Sequence, residues 1–470
     1  MERACGFPRG GRRRESRGVV LMKLTIIGGG GFRVPQVFEA VASDEAPVRI
    51  DELTLYDVSP ERLAIIRVIV ERIASEKRFA PRVTVTTDLE EALRGTDFVF
   101  SAVRVGGTAG RVADERIALG LGVLGQETVG PGGLAYALRT IPLMVSLAET
   151  IRRVAPEAWV INFTNPAGIV TEAMRGVLGD RVVGICDTPI GLMRRAAAVA
   201  GAAAPGSAGT ASTVAFDYVG LNHLGWLRSL QVDGVERLPE LLASDAALQR
   251  IEEARLLGFD WVRALGALPN EYLYYYYFTR EANESIRAAA TTRGEYLDAQ
   301  QGEFFANPGS DPHESWMHTR HEREASYMAE SREEGEEREV EDVAGGGYES
   351  VALDLMAALS SGKPATMILN VRNGSLVPAL PEDAVVEVGC VVDADGVHPW
   401  PIAPVEGAML GLMTQVKSAE RLVIEAATRG SRELAWRGFA AHPLVDSVGV
   451  ARKLVDGYSA HFEGIGRLLR

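Results

Sequence analysis

An α/β protein is predicted, with an N-terminal Rossmann-type parallel sheet and a separate C-terminal α+β lobe, and three features of the 470-residue chain point to it. From Lys23 onward short apolar runs, turns and amphipathic stretches alternate, which is the rhythm of βαβ units. After about residue 190 the rhythm changes to runs that read as antiparallel strands. The composition, 47% apolar, 24% charged and 7% aromatic, is that of an ordinary globular protein and excludes a disordered chain, a collagen-like repeat or a disulfide scaffold.

The elements follow in order. The first 21 residues carry six Arg and two Glu and no apolar stretch of signal-peptide length. Met22, directly before KLTIIGGGG, reads as a second start, so 1–21 is expected to be a disordered extension or a misplaced start. A dinucleotide-binding unit is expected over 22–190, with strands at 23–28, 52–57, 82–87, 97–103, 158–163 and 181–186. Between the second and third, SPERLAIIRVIVERIASEKR opens with a Ser N-cap and Pro at the first helical position, so a long helix is expected. Residues 191–470 are expected to supply substrate, metal and subunit contacts, with antiparallel strands in STVAFDYVGLNHLGWLRSLQVDG, a helix in GGYESVALDLMAALSSG and a strand in TMILNV. The segment 330–342 holds eight acidic residues and two Arg and reads as a solvated face.

Charge and cysteine usage narrow the partners. Asp plus Glu number 63 against 49 Lys plus Arg, a net charge of -14 that phosphate backbones would repel, so no nucleic-acid partner is expected. The three cysteines, Cys5, Cys186 and Cys390, form no CxxC pair, which points to reduced thiols and a cytoplasmic protein. No unbroken apolar run reaches the 18 or so residues of a membrane span, so no membrane partner is expected.

Gly28, Gly29, Gly30 and Gly31 directly follow the first strand and precede FRVPQVFEAV, so a tight turn could bring Phe32 and the helix start to a pyrophosphate. Asp57 ends the second strand, where its carboxylate would accept from ribose hydroxyls and repel a 2′-phosphate, favouring NAD over NADP. Cys186 ends the sixth strand, and His223 lies 37 residues later in a Gly-flanked turn. Together they could ligate a divalent metal, though spacing alone leaves packing open for both. In PNEYLYYYYF some rings must be core, and His313, His318 and His321 lack the HExxH pattern and read as surface.

The ordered set GGGGFRVP, LYDVSPERL, RVGG, GQETVGPGG, FTNPAG, GICDTP, GLNHLGW, PNEYLYYY and NGSLVPALPEDAVVEV resembles glycoside hydrolase family 4, in particular its 6-phospho-glucosidases, from Met22 nearly to the C-terminus. The resemblance implies a lactate/malate dehydrogenase-like architecture and a glycosidase outside the two-carboxylate scheme. Hydride passes from sugar C3 to NAD, a base removes the C2 proton, the aglycone is eliminated from C1, water adds, and the hydride returns. It also implies Cys186 and His223 as ligands of a divalent metal, Mn2+ being expected, and Tyr272 as the base, with Tyr274 and Tyr275 as alternatives. Asp187 is implied as the leaving-group acid, and Arg104, Asn165 and Arg293 as contacts to the sugar or its phosphate. The small-molecule partner would be a phosphorylated glycoside, and the assembly a homodimer or homotetramer.

Asp187 after the metal-binding Cys resembles the α-linked enzymes, whereas RVGG resembles the β group, and the β reading is preferred. The competing functions are a 6-phospho-α-glucosidase, a plain NAD-dependent hydroxyacid dehydrogenase, and a non-catalytic NAD sensor. The sensor would need neither a metal nor a base.

Overall fold

A computed structural model describes residues 21–203, 212–327 and 347–470. The extension expected over 1–21, apart from Leu21, and the acidic segment 330–342 lie outside the described residues. Strands β1 (Lys23–Ile27), β2 (Glu52–Tyr56), β3 (Arg82–Thr86), β4 (Phe98–Ser101), β5 (Trp159–Asn162) and β6 (Val182–Gly184) fall where the apolar runs predict them. They stand in the order β3-β2-β1-β4-β5-β6, every neighbouring pair parallel, which is the Rossmann order. The helix Pro60–Glu76 starts as its sequence predicts, with the Ser59 hydroxyl accepting from the Arg62 amide at 3.2 Å.

The second half carries the expected antiparallel strands, but joined to the first half rather than as a separate lobe. Its strands form no sheet of their own: β7 (Val214–Leu221), β8 (Leu224–Val232), β9 (Val235–Glu236), β10 (Leu268–Pro269), β11 (Ala365–Arg372), β12 (Val385–Asp393) and β13 (Gly396–Pro399) extend the same sheet. The order continues from β6 as β11-β12-β7-β8-β10, all antiparallel. The seam is narrow, with Asn370 of β11 opposite Gly184 of β6. A Cβ on Gly184 would lie 2.5 Å from Thr171 Oγ1 and 2.9 Å from Asn370 Cβ, so glycine lets the two halves approach. The physical reason for the join is that β6 would otherwise leave an unpaired edge, which β11 covers.

One large core runs beneath both halves, from Leu24, Ile26 and Leu55 to Trp226, Met356 and Val388. A second forms where the helices Gly407–Arg429, Arg432–Ala441 and Val448–His461 meet Gly107–Gly120 and Gly130–Val154, through Ala118, Leu138, Phe439 and Leu454. The helix Gly130–Val154 corrects the membrane reading in one respect. It is long and apolar enough to cross a membrane, which a count of unbroken runs overlooks, but 61% of its apolar window is buried within the protein.

This topology brings Gly28, Asp57, Arg104, Asn165 and Cys186 to the carboxyl ends of parallel strands, where open α/β sheets bind ligands. The tip of the β7–β8 hairpin carries Asn222 and His223.

Candidate active site

At the end of β1 the glycines are demanded first by the chain itself. The Gly28 and Gly29 amides both donate to the Tyr56 carbonyl, at 2.9 and 2.7 Å. A Cβ on Gly28, at φ +90°, would sit 2.5 Å from the Ala102 oxygen, and one on Gly29 would sit 2.7 Å from Leu55 Cβ. The Gly30 amide donates to Asp57 Oδ2 at 3.0 Å, and the Ser59 amide to Asp57 Oδ1 at 3.1 Å. Asp57 therefore ties the turn to β2 and keeps lone pairs for further donors. The Gly31 amide closes the turn onto the Gly28 carbonyl at 2.9 Å. The Phe32 ring packs edge-on against Phe304 at 5.4 Å, and its carbonyl accepts from Trp316 Nε1 at 2.8 Å. Among the described residues the Phe32 and Arg33 amides have no hydrogen-bond partner, which leaves them as the donors at the start of the helix Val34–Val41.

The thiol, imidazole and phenol converge through side chains. His223, at φ +63°, is 6% exposed and stacks on Tyr272 with ring centroids 3.7 Å apart and planes 9° off parallel. Cys186 Sγ lies 3.5 Å from Thr188 Oγ1 and 3.9 Å from Asp187 Oδ1. Asn270 Nδ2 donates to the same Thr188 hydroxyl at 2.7 Å, and Asn270 Oδ1 accepts from the Tyr272 amide at 3.1 Å, so Cys186 and Tyr272 share one hydrogen-bonded frame. The Tyr272 hydroxyl meets Tyr327 Oη at 2.9 Å, and Tyr327 donates to Glu271 Oε1 at 2.7 Å. Burial, then Asp187 and Glu387, pushes the Cys186 thiol up, while burial and then Glu271 push the Tyr272 phenol up. Burial pushes His223 down to about 4, so its ring is neutral near pH 7.

Of the tyrosine alternatives, Tyr274 and Tyr275 are 9% and 1% exposed and both lie in the core. His318 and His321 are exposed, as predicted, while His313 is partly buried and stacks on Trp316.

Arg104 is paired with Glu127 at 2.8 Å, and the other oxygen of Glu127 meets Arg111 at 2.8 Å. Burial opposes ionisation of Glu127, but Arg104 and Arg111 overrule it and hold the carboxyl at about 2. Glu127 is a site residue the sequence reading passed over, although GQETVGPGG contains it. Its neighbour Thr128 places Oγ1 3.0 Å from His223 Nδ1. Asn165 follows β5 and has no side-chain hydrogen bond among the described residues. Arg293 Nη1 donates to Ser326 Oγ at 2.7 Å and Nη2 to the Arg323 carbonyl at 2.8 Å.

The residues present fit a divalent cation. Thr128 can hold the Nδ1 proton of His223, which leaves Nε2 as the ligating atom, and the Cys186 thiol has only weak partners. Among the described residues no three His, Cys, Asp or Glu side chains group as a metal site, so other oxygens would have to complete the shell. The free Phe32 and Arg33 amides and the lone pairs of Asp57 fit a dinucleotide.

A Rossmann-ordered sheet with a glycine turn after its first strand, and a buried thiol, imidazole and phenol at its carboxyl edge, defines an enzyme of the dinucleotide-binding class. The particular family follows from comparison. Residues 23–202 match the family 4 glycosyl hydrolase model, and 218–445 match the model of the family 4 glycosyl hydrolase C-terminal domain. The chain belongs to glycosyl hydrolase family 4, as its motifs imply. It is 32% identical to the probable 6-phospho-beta-glucosidase of Bacillus subtilis strain 168, over 93% of this chain and 95% of that one. It is 30% identical to a maltose-6'-phosphate glucosidase of Clostridium acetobutylicum, over 92% and 96%. Among solved structures, the 6-phospho-beta glucosidase from Thermotoga maritima with manganese, NAD+ and glucose-6-phosphate superposes with a TM-score of 0.77. That pair is 26% identical and covers 94% of this chain and 98% of the other.

Proposed function

We propose that the protein hydrolyses 6-phosphoglucosides, β-linked in preference to α-linked, in the cytoplasm, using NAD and a divalent cation, Mn2+ being expected. The observation that carries this reading is the stack of His223 on Tyr272 at 3.7 Å, framed to Cys186 through Asn270 and Thr188. It puts two prospective ligands beside one prospective base. The names and bound molecules of the relatives support the substrate class and both cofactors. In this reading 22–190 binds the dinucleotide, and 191–470 supplies substrate, metal and subunit contacts in a homodimer or homotetramer.

When bound, the nicotinamide supplies a hydride acceptor for sugar C3 and the cation supplies Lewis acidity beside it. Cys186 and His223 would hold the cation, and the glycine turn with the Phe32 and Arg33 backbone amides and the Asp57 carboxylate would hold the dinucleotide. Tyr272 removes the C2 proton, and Tyr327 and Glu271, hydrogen-bonded in line behind it, accept the shifted proton. Asp187 protonates the leaving oxygen. Asn165 and Arg104 orient the sugar, and Arg293 faces its phosphate.

A second reading, a 6-phospho-α-glucosidase, is favoured by Asp187 itself and by the maltose-6'-phosphate relative. Paired α- and β-linked 4-nitrophenyl glucosides, each with and without a 6-phosphate, separate the readings when assayed with NAD+ and Mn2+. Release from the β-linked 6-phosphate is expected to be fastest. Faster α release would move the protein to the second reading, and steady NADH accumulation without release would make it a dehydrogenase.

A further inference from the structure

Positive charge at this site is unevenly matched. Arg104 and Arg111 share Glu127, and Arg111 also holds Glu115 at 2.7 Å, so those two guanidiniums are compensated. Among the described residues Arg33 and Arg323 make no ion pair with a carboxylate. The Arg33 guanidinium lies 5.1 Å from the Tyr348 ring and 5.6 Å from the Phe163 ring, and those two rings stack on each other at 4.1 Å. The rings fix the position of the cation without neutralising it. Arg323 has its Nε buried with no hydrogen-bond partner, and its carbonyl is held by Arg293. Burial, then Arg33 and Arg293, pushes Arg323 well below the usual arginine range.

A buried guanidinium repelled by two others is costly unless an anion arrives to complete it. Planar forks from more than one arginine suit a tetrahedral dianion, which a single carboxylate would match poorly in charge. A phosphoryl group could come from the sugar or from the pyrophosphate of the dinucleotide, and the surroundings of Arg33 decide. Its guanidinium lies against Phe163, just past β5, and Tyr348, and the groups that act on it most strongly are Tyr348, Asp187, Tyr327 and Glu127, on the reaction side.

We propose that Arg33 and Arg323, with Arg293 beside them, receive the dianionic phosphate of the sugar, while Arg104, neutralised by Glu127, orients the ring. The proposal rests on the 6-phosphoglucoside reading above and adds to Arg293 two residues, Arg33 and Arg323, that the sequence analysis did not single out.

The test uses Arg33→Gln and Arg323→Gln in the full-length protein, with inorganic phosphate as the first probe. Phosphate should raise the unfolding temperature of the parent and lose that effect in both variants. With NAD+ and Mn2+ present, the KM for 4-nitrophenyl β-glucoside 6-phosphate should rise on the order of 10–100-fold in each, since each loses charge-assisted hydrogen bonds. The KM for NAD+ should stay within about threefold, a limit far below the effect of one lost charged hydrogen bond. Empty Arg323→Gln should be no less stable than the empty parent, because it removes an unpaired cation. Equal phosphate stabilisation in parent and variants, or an unchanged substrate KM in folded variants, overturns the proposal. A rise in the KM for NAD+ in place of the substrate KM overturns it too, by giving the cluster to the pyrophosphate. Should Arg323→Gln fail to fold, Arg33→Gln and the charge-retaining Arg323→Lys carry the same comparison. If the parent cleaves no 6-phosphoglucoside the functional reading falls, and the phosphate shift still judges the anion receptor separately.

Discussion

At the end of β1, two glycine amides close onto one carbonyl of the neighbouring strand within 2.9 Å, and apart from the Asp57 carboxylate, which accepts from the Gly30 amide, the turn is shaped by backbone contacts. At the end of β6, His223 stacks on Tyr272 and Cys186 is linked to them through the Thr188 and Asn270 side chains, so the set draws on a strand end, a hairpin tip and a short helical turn. The nucleotide edge is thus a local backbone device, and the reaction edge is a convergence of distant side chains. Damage to the first should weaken binding by degrees, and damage to the second should remove chemistry while leaving the fold.

The largest effect should come from Tyr272→Phe, which deletes one hydroxyl and keeps the ring stacked on His223. Aglycone release should slow by roughly 10² to 10⁴ for loss of a general base, with the circular dichroism spectrum unchanged. A variant of near-parental rate would transfer the base role to another group. Next come Cys186→Ser and Thr128→Val, read by direct metal titration. The first removes a ligand, because a hydroxyl does not ionise as a thiolate does. The second removes the partner of His223 Nδ1 and should weaken metal binding by about 10–100-fold. Metal affinity unchanged in both would mean the reaction edge is not a metal site.

On the nucleotide edge, Asp57→Asn keeps an acceptor for the Gly30 amide and removes the charge. The KM for NAD+ should rise about tenfold, the scale of one lost hydrogen bond to a charged group, and discrimination against NADP+ should shrink. An unchanged KM for NAD+ would put the ribose elsewhere and erase the contrast between the edges.

The seam between the parallel and antiparallel strands gives the smallest effect. Glu387 accepts from Asn370 at 2.8 Å, Asn222 at 3.2 Å and Tyr218 at 3.3 Å, and burial raises its carboxyl to about 7. A folded pKa above the unfolded value means the folded state keeps the proton longer. This contribution is therefore complete below about pH 4.5 and is lost as the pH rises towards 7. Glu387→Gln cannot ionise, so its stability relative to the parent should climb between pH 5 and 7 by up to about 1.4 kcal/mol per unit in urea unfolding. A pH-independent difference would show that Glu387 is not protonated in the fold.

The same contrast explains what the sequence could reveal. The six parallel strands, the Pro60–Glu76 helix and the glycine turn are legible because local pattern and local backbone demand coincide. The join of the two halves at Asn370 and Gly184 is not, because nothing near either residue encodes which edge it will cover. Cys186, His223 and Tyr272 stand out only through their motifs, since spacing alone leaves packing equally open. Glu127 sits inside one of those motifs, but its pairing with both Arg104 and Arg111 emerges only when the loop before Gly130–Val154 folds against the strand ends. Arg33 and Arg323 are ordinary charges in the sequence, and their lack of a carboxylate partner is visible only in three dimensions.

The central claim is that hydrolysis proceeds by removing and restoring the proton on sugar C2. It is tested most directly by running the reaction on 4-nitrophenyl β-glucoside 6-phosphate in D2O with NAD+ and Mn2+ and recording the mass and NMR spectra of the product sugar. The account predicts glucose 6-phosphate carrying deuterium at C2, with no net NADH. Product with hydrogen alone at C2 would contradict it and return the protein to direct displacement at C1.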